Sequence, residues 1–383
     1  MTQQQNPNAM AKRLAKALQK LHADLTEIDL PLAACQEAAA ALLLFENFHQ
    51  VLKAPATRLP RLDSMLKGHF ELFDRRDKQH GVLSRLANVD QELAAILLFA
   101  LRPTSGKPPC QSVQEAADLI LFEADVNKDA YHDAAGMLSL VRLFQDPLYR
   151  VDLFRSIKTA VMQAIGCTEE SAGARTDNYL SAGSSQESNL VYAWYGVAES
   201  LFLGGNYREA IKECVALRAA DQRDGSGARF VEQACRLHLG QIASLKRLLA
   251  GDESVFAAYT RALVLYREGG QSARVDELLG GAVARNPLIA DILASGRAVP
   301  RARFQGYVHG GEDEAEAYLS WTQDAWAATP GAIAWVKSYI AKYPRGTAQS
   351  TQDIEWVDRV RTRRARSNGP ALYTDEDRRR LRG

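Results

Sequence analysis

The sequence predicts an all-α protein, and three observations carry that expectation. Apolar residues recur at spacings of three and four through most of the first 165 positions. No stretch there alternates convincingly with period two. Further on, Val191–Pro287 holds two helix–turn–helix units built on one residue template. The expected organisation is a disordered N-terminus over 1–9, a helical domain over 10–167 and a linker over 168–190. A helical repeat domain with a cap follows over 191–343, and an Arg-rich tail over 344–383.

Taken in order, Met10–Leu25 places Leu14, Leu18, Leu21 and Leu25 on one stripe, with Lys12, Arg13, Lys16 and Lys20 on the polar side. That pattern reads as a terminal packing helix with a solvated basic face, partner or membrane-surface binding being the alternative. Pro31 opens a helix running to about Lys53, apolar over much of its circumference through Leu42–Phe45, Phe48 and Val51. A third helix is expected over Pro60–Asp74, a turn at Arg75–Lys78, and a fourth helix from Val82 to Leu101, stopped by Pro103. Thr104–Pro109 reads as a loop, because glycine and paired prolines do not continue a helix. Helices over Ser112–Glu123, Asp129–Phe144 and Pro147–Ile165 follow, with Asp129 suited to an N-cap and Pro147 to a first turn. From Thr168 to Ser188 small and polar residues bury too little apolar area to offset chain entropy.

Composition narrows the function classes. Across 383 residues, 46% are hydrophobic and 24% charged, as in a protein with a real core, and the net charge of +1 gives no global argument for nucleic acid. The apolar run Ala38–Phe45 is far short of the roughly 20 residues of a membrane span, and so is Leu93–Leu101. Five scattered cysteines without pairing or ligand spacing fit reduced thiols and a cytoplasmic setting, with no membrane partner.

The template itself is specific. In Val191–Gln222, Trp194 supplies a large aromatic, Ala198 and Ala210 are small where two helices cross, Gly204–Gly205 make the turn and Tyr207 packs over it. In Phe256–Pro287 the corresponding residues are Tyr259, Ala262, Tyr266, Gly269–Gly270, Leu279 and Ala282, with Leu263 and Val275 bulkier than the template asks. Between them lies a clipped hairpin, Ala228–Leu239 and Gln241–Leu249, turning at Gly240. The stretch resembles the tetratricopeptide repeat, a 34-residue helical hairpin. Asn286–Leu293, Tyr307–Val308, Gly310–Gly311, Glu314–Ala315, Tyr318 and Trp326–Trp335 are similar to the closing pair of suppressor-of-tumorigenicity-type repeat proteins. The resemblance covers about residues 191–340. It implies a solenoid that recognises a protein partner or peptide, with no cofactor and no reaction.

Carried over by position, the resemblance implies a concave binding face of Tyr192, Tyr195, Glu199 and Phe202 from the first hairpin, with Thr260 and Arg267 from the second. The alternative is that Tyr192 and Phe202 pack against the N-terminal helices or the linker. The carboxylate-clamp set of Lys and Asn is missing, so chaperone-tail binding is not expected. Asp125–Gly136 fails as a calcium loop because Ala130 and Gly136 stand where Gly and a bidentate Glu are required. No catalytic motif is found: the seven histidines form no ligand pair, and His309-Gly310-Gly311 fits the entry to the last helical pair better than an oxyanion hole. The leading expectation is therefore a non-enzymatic adaptor or scaffold. The second is a nucleic-acid-associated protein. From Trp356 onward nine arginines stand against four acids, a net charge of +5, and Arg359, Arg361, Arg363, Arg364 and Arg366 are a candidate phosphate or acidic-partner contact.

Overall fold

Helix termini are where this chain shows why it folds as it does. In the computed structural model, Asn6 caps α1 (Pro7–Thr26) through Asn8 N, with Pro7 in the first turn. Asn47 caps α3 (Phe48–Lys53), and Asp90 caps α5 (Gln91–Leu101) through Leu93 N. Between these lie α2 (Leu32–Leu42) and α4 (His69–Leu86), and α6 (Val113–Phe122) follows. A further helix, α7, is described over 136–141. Asp146 and Pro147 open α8 (Pro147–Ile165), which closes on Gly166 in the left-handed region. The first hairpin is α9 (Ser185–Leu203) and α10 (Tyr207–Ala220), and α11 (Ala228–His238) and α12 (Ile242–Leu249) make the short one. Ser254 caps α13 (Val255–Gly269) and Ser272 caps α14 (Ala273–Arg285). Then come α15 (Pro287–Ser295), α16 (Glu312–Ala327) and α17 (Ala332–Lys342). The structure describes residues 6–55, 58–60, 62–63, 69–86, 89–105, 107–122, 134, 136–168, 185–221, 224–299 and 308–343.

The all-α expectation holds: among the described residues there are helices and no strand. None of these helices is long and apolar enough to cross a membrane. Three element boundaries differ from the sequence reading, each for a local reason. The expected helix from Pro31 to Lys53 is broken after Leu42, where Leu44 turns left-handed at φ 63° and Asn47 starts a new cap. The expected turn at Arg75–Lys78 is helical, because Arg75 and Arg76 are drawn onto the buried carboxylate of Asp63 at 2.8 and 3.1 Å. That helix therefore runs to Leu86, and α5 begins afresh at Gln91 rather than continuing from Val82. The expected cap Asp129 and the rejected calcium loop lie largely outside the described residues.

The chain divides into two units, 1–232 and 233–383. In the first, α1 packs on α2, α4 on α2 and α5, and α8 lies most intimately along α9, which in turn pairs with α10. The hairpin 191–222 thus belongs with the N-terminal helices. The stretch read as a linker, 168–190, is helical from Ser185, while 169–184 lies outside the described residues. The α8–α9 approach is close because Gly196 has no side chain: a Cβ there would meet the Phe154 ring at 2.6 Å. In the second unit α13 pairs with α14, and α15 is covered by α16 and α17.

The loop from α10 to α11 carries a titratable group with a displaced pKa. Asp224 sits at φ 48°, and Arg229 Nε lies 3.3 Å from its carboxylate. Desolvation by burial outweighs the nearby Arg229 and raises its pKa from 3.8 to about 6. The folded state therefore holds a proton that the unfolded chain has released. Stability falls as pH rises from about 4 to about 6, and the cost is fully present above that window. Asp224→Asn preserves shape and tolerates the left-handed backbone. We expect it to abolish this slope and to gain at most about 3 kcal/mol at neutral pH. Thermal unfolding of both proteins from pH 4 to pH 7 checks this; parallel profiles contradict it.

Candidate functional site

The six residues expected on a concave face are placed very differently from one another. On α9, Tyr192 is 55% exposed and faces solvent. Tyr195 is half-buried; burial, with Glu199 beside it, holds its phenol well above the ordinary pKa of a tyrosine. Glu199 is paired with Arg150 of α8 at 3.2 Å, both side chains largely covered. Phe202 is 3% exposed and lies against Tyr207, ring centroids 5.3 Å apart. Of these four, Tyr192 alone presents most of its side chain to a partner. Phe202 is packed against Tyr207 of its own hairpin, and Tyr192 is exposed.

The α9 core shows why its other faces are spent. Trp194 is nearly fully buried, donates its indole N–H to Glu213 at 2.9 Å, and carries Lys158 Nζ 4.7 Å from its ring. Lys158 also bridges to Glu213 at 3.3 Å, so one carboxylate holds α8, α9 and α10 together. A buried lysine is tolerated because charge, ring face and carboxylate are satisfied at once. Ala198 and Ala210, both wholly buried, are the small residues that let α9 and α10 approach.

In the second unit the expected binding positions on α13 are covered by the chain itself. Thr260 is 1% exposed, and its hydroxyl lies 3.5 Å from that of Tyr318 on α16. Arg267 donates to the Leu237 carbonyl, the Ala325 carbonyl and the Thr329 hydroxyl, each at 2.8 Å. Burial pulls its pKa below the ordinary arginine value, and the three oxygens offset that desolvation. Around them, Tyr259 and Phe256 lie against Tyr318, and Tyr266 stacks on Trp335 with centroids 4.6 Å apart. No family model, no curated protein and no solved structure matches this chain.

His309 and its glycines sit where the sequence placed them, at the entry to α16. His309 Nδ1 is 3.0 Å from Glu314, whose carboxylate also accepts from Gly310 N and Asn286 Nδ2. The Asn286 carbonyl in turn accepts from the Tyr259 hydroxyl at 2.7 Å. This is a structural knot that ties the entry of α16 to the start of α15. Sequence reading missed it, although the Asn-Pro pair opening α15 was its visible end. No group of three or more His, Cys, Asp or Glu able to hold a metal occurs among the described residues. The five candidate arginines of the tail, 359–366, lie outside them.

These placements make Phe202 and Tyr192 opposites. Phe202→Ala should destabilise the protein by about 3–5 kcal/mol through the cavity it leaves, and Tyr192→Ala by no more than about 0.5 kcal/mol. Urea unfolding of the two variants reads the difference directly; equal losses would contradict the assignment.

Proposed function

We propose that the protein is a non-enzymatic scaffold that holds a protein partner on its first helical hairpin, as the resemblance to tetratricopeptide repeats implies. One observation carries this reading. Tyr192 is a large aromatic left more than half exposed on a helix most of whose other large apolar side chains are buried, at a position where such repeats engage their ligands. An aromatic of this kind supplies contact area at low entropic cost, which is why tyrosine dominates interface hot spots. Exposed Leu148 of α8 and Val215 of α10 belong to the helices that flank it.

The second hairpin has a different part in this proposal. Its corresponding face is filled by α16, so Thr260 and Arg267 serve the fold rather than the partner. A scaffold of this kind offers one hairpin to its ligand and closes the other with its own cap.

Affinity capture with the full chain, wild type against Tyr192→Ala, tests the proposal. Loss of a truncated interface aromatic typically costs about 2 kcal/mol or more, roughly thirtyfold in affinity. The specific partner should therefore disappear from the variant while thermal unfolding stays the same. Recovery of an identical set of proteins by both would refute the proposed face.

A further inference from the structure

Before Asp24 the sequence holds no carboxylate, while Lys12, Arg13, Lys16 and Lys20 all fall there. All four lie on α1 and all four are exposed. At about 100° per residue they share an arc of about 100°, opposite the buried Leu14, Leu18 and Leu21. Lys12, Lys16 and Lys20 follow one another at about 6 Å, so the row runs about 12 Å along the helix axis.

Other helices of the chain pair such cations with an acid one turn away. Lys78 reaches Asp74 at 2.6 Å on α4, Lys212 reaches Glu209 at 2.8 Å on α10, and Arg274 reaches Glu277 at 2.7 Å on α14. On α1 the first turn carries no acid. Among the described residues none of its four cations makes an ion pair or a side-chain hydrogen bond. Lys12 with Lys16, and Lys16 with Lys20, instead set like charges one turn apart, which weakens a helix. The row adds nothing to the stability of the fold.

The composition of the face points to its occupant. The exposed positions of α1 are Ala9, the four cations and Asp24, so no aromatic or large apolar side chain stands there. A protein partner would need such an anchor at the centre of its contact, whereas phosphate oxygens need only charge. An interfacial helix inserts its apolar stripe into lipid, but Leu14, Leu18 and Leu21 are at most 2% exposed and α1 packs on α2. A second copy laid antiparallel on the same face would set Lys16 against Lys16 and Lys12 against Lys20. Without a ring on which a base could stack, the face suits a duplex rather than a single strand.

We propose that the basic face of α1 docks on the sugar–phosphate backbone of double-stranded nucleic acid, whatever its base sequence. Phosphates of one strand recur every ~3.4 Å of duplex axis, so a row of about 12 Å meets about three of them. The proposal is independent of the scaffold reading and shares no residue with it.

Fluorescence anisotropy of the full chain with a short labelled duplex, titrated at several chloride concentrations, tests it. Each neutralised phosphate contributes about −0.9 to the slope of log K against log salt. Lys12→Gln/Lys16→Gln/Lys20→Gln should bind at least about tenfold more weakly at low salt and show a slope shallower by about 2–3 than wild type. The tail arginines are present in both proteins, so the difference belongs to α1. Glutamine keeps the helix propensity, and the melting temperature should hold or rise. Lys12→Arg/Lys16→Arg/Lys20→Arg should keep the wild-type slope, and duplexes of unrelated sequence should bind alike. Absence of binding at low salt overturns the proposal. Equal slopes for wild type and the glutamine variant also overturn it and leave any contact to the tail. A variant that loses affinity for vesicles rich in phosphatidylserine, but not for the duplex, overturns it in favour of a membrane surface.

Discussion

The half-buried Arg267 guanidinium is met by three oxygens, and those oxygens come from distant parts of the chain. Leu237 brings one from α11, and Ala325 and Thr329 bring two from the end of α16. A guanidinium cannot shed its proton to escape desolvation, so its partners must be in place whenever the helix is. This ties the 312–329 segment to α13 more firmly than apolar burial alone, which is indifferent to register. The aromatic contacts then settle around a position already fixed: Tyr266 on Trp335, Tyr318 on Tyr259, and Trp326 donating to the Tyr318 hydroxyl at 3.0 Å.

The first unit uses the same economy of parts with different chemistry. Lys158, Trp194 and Glu213 replace the arginine clamp, and Gly196 replaces small residues at the crossing. In both units one satisfied charge joins three segments, while alanine and glycine set the distance between helices. The consequence for function follows from what each clamp covers. On α9 the clamp leaves Tyr192 outside, and on α13 it encloses Thr260 and Arg267.

Much of this fold was legible in the sequence, and the reasons are local. Caps such as Asp146–Pro147, turns such as Gly204–Gly205 and the three- and four-residue spacing of leucines act over one or two helical turns, and those elements stand where the pattern puts them. Boundaries set by distant partners were not legible. Arg75 and Arg76 look like the polar end of a helix until Asp63 is seen to need them, and Leu44 gives no sign of a left-handed bend. The candidate site shows the same division. A position template names the residues of a helix face, but it cannot say whether the chain later returns to cover that face.

The central claim is that α16 already covers Thr260 on α13 while Tyr192 on α9 stays exposed. Hydroxyl-radical footprinting of the intact protein, read by mass spectrometry, measures that difference most directly. Tyr192 should be oxidised many-fold faster than Tyr318 and Trp326, which are at most 1% exposed. Oxidation of Tyr318 and Trp326 at rates matching Tyr192 would show an uncovered α13 face and contradict the account.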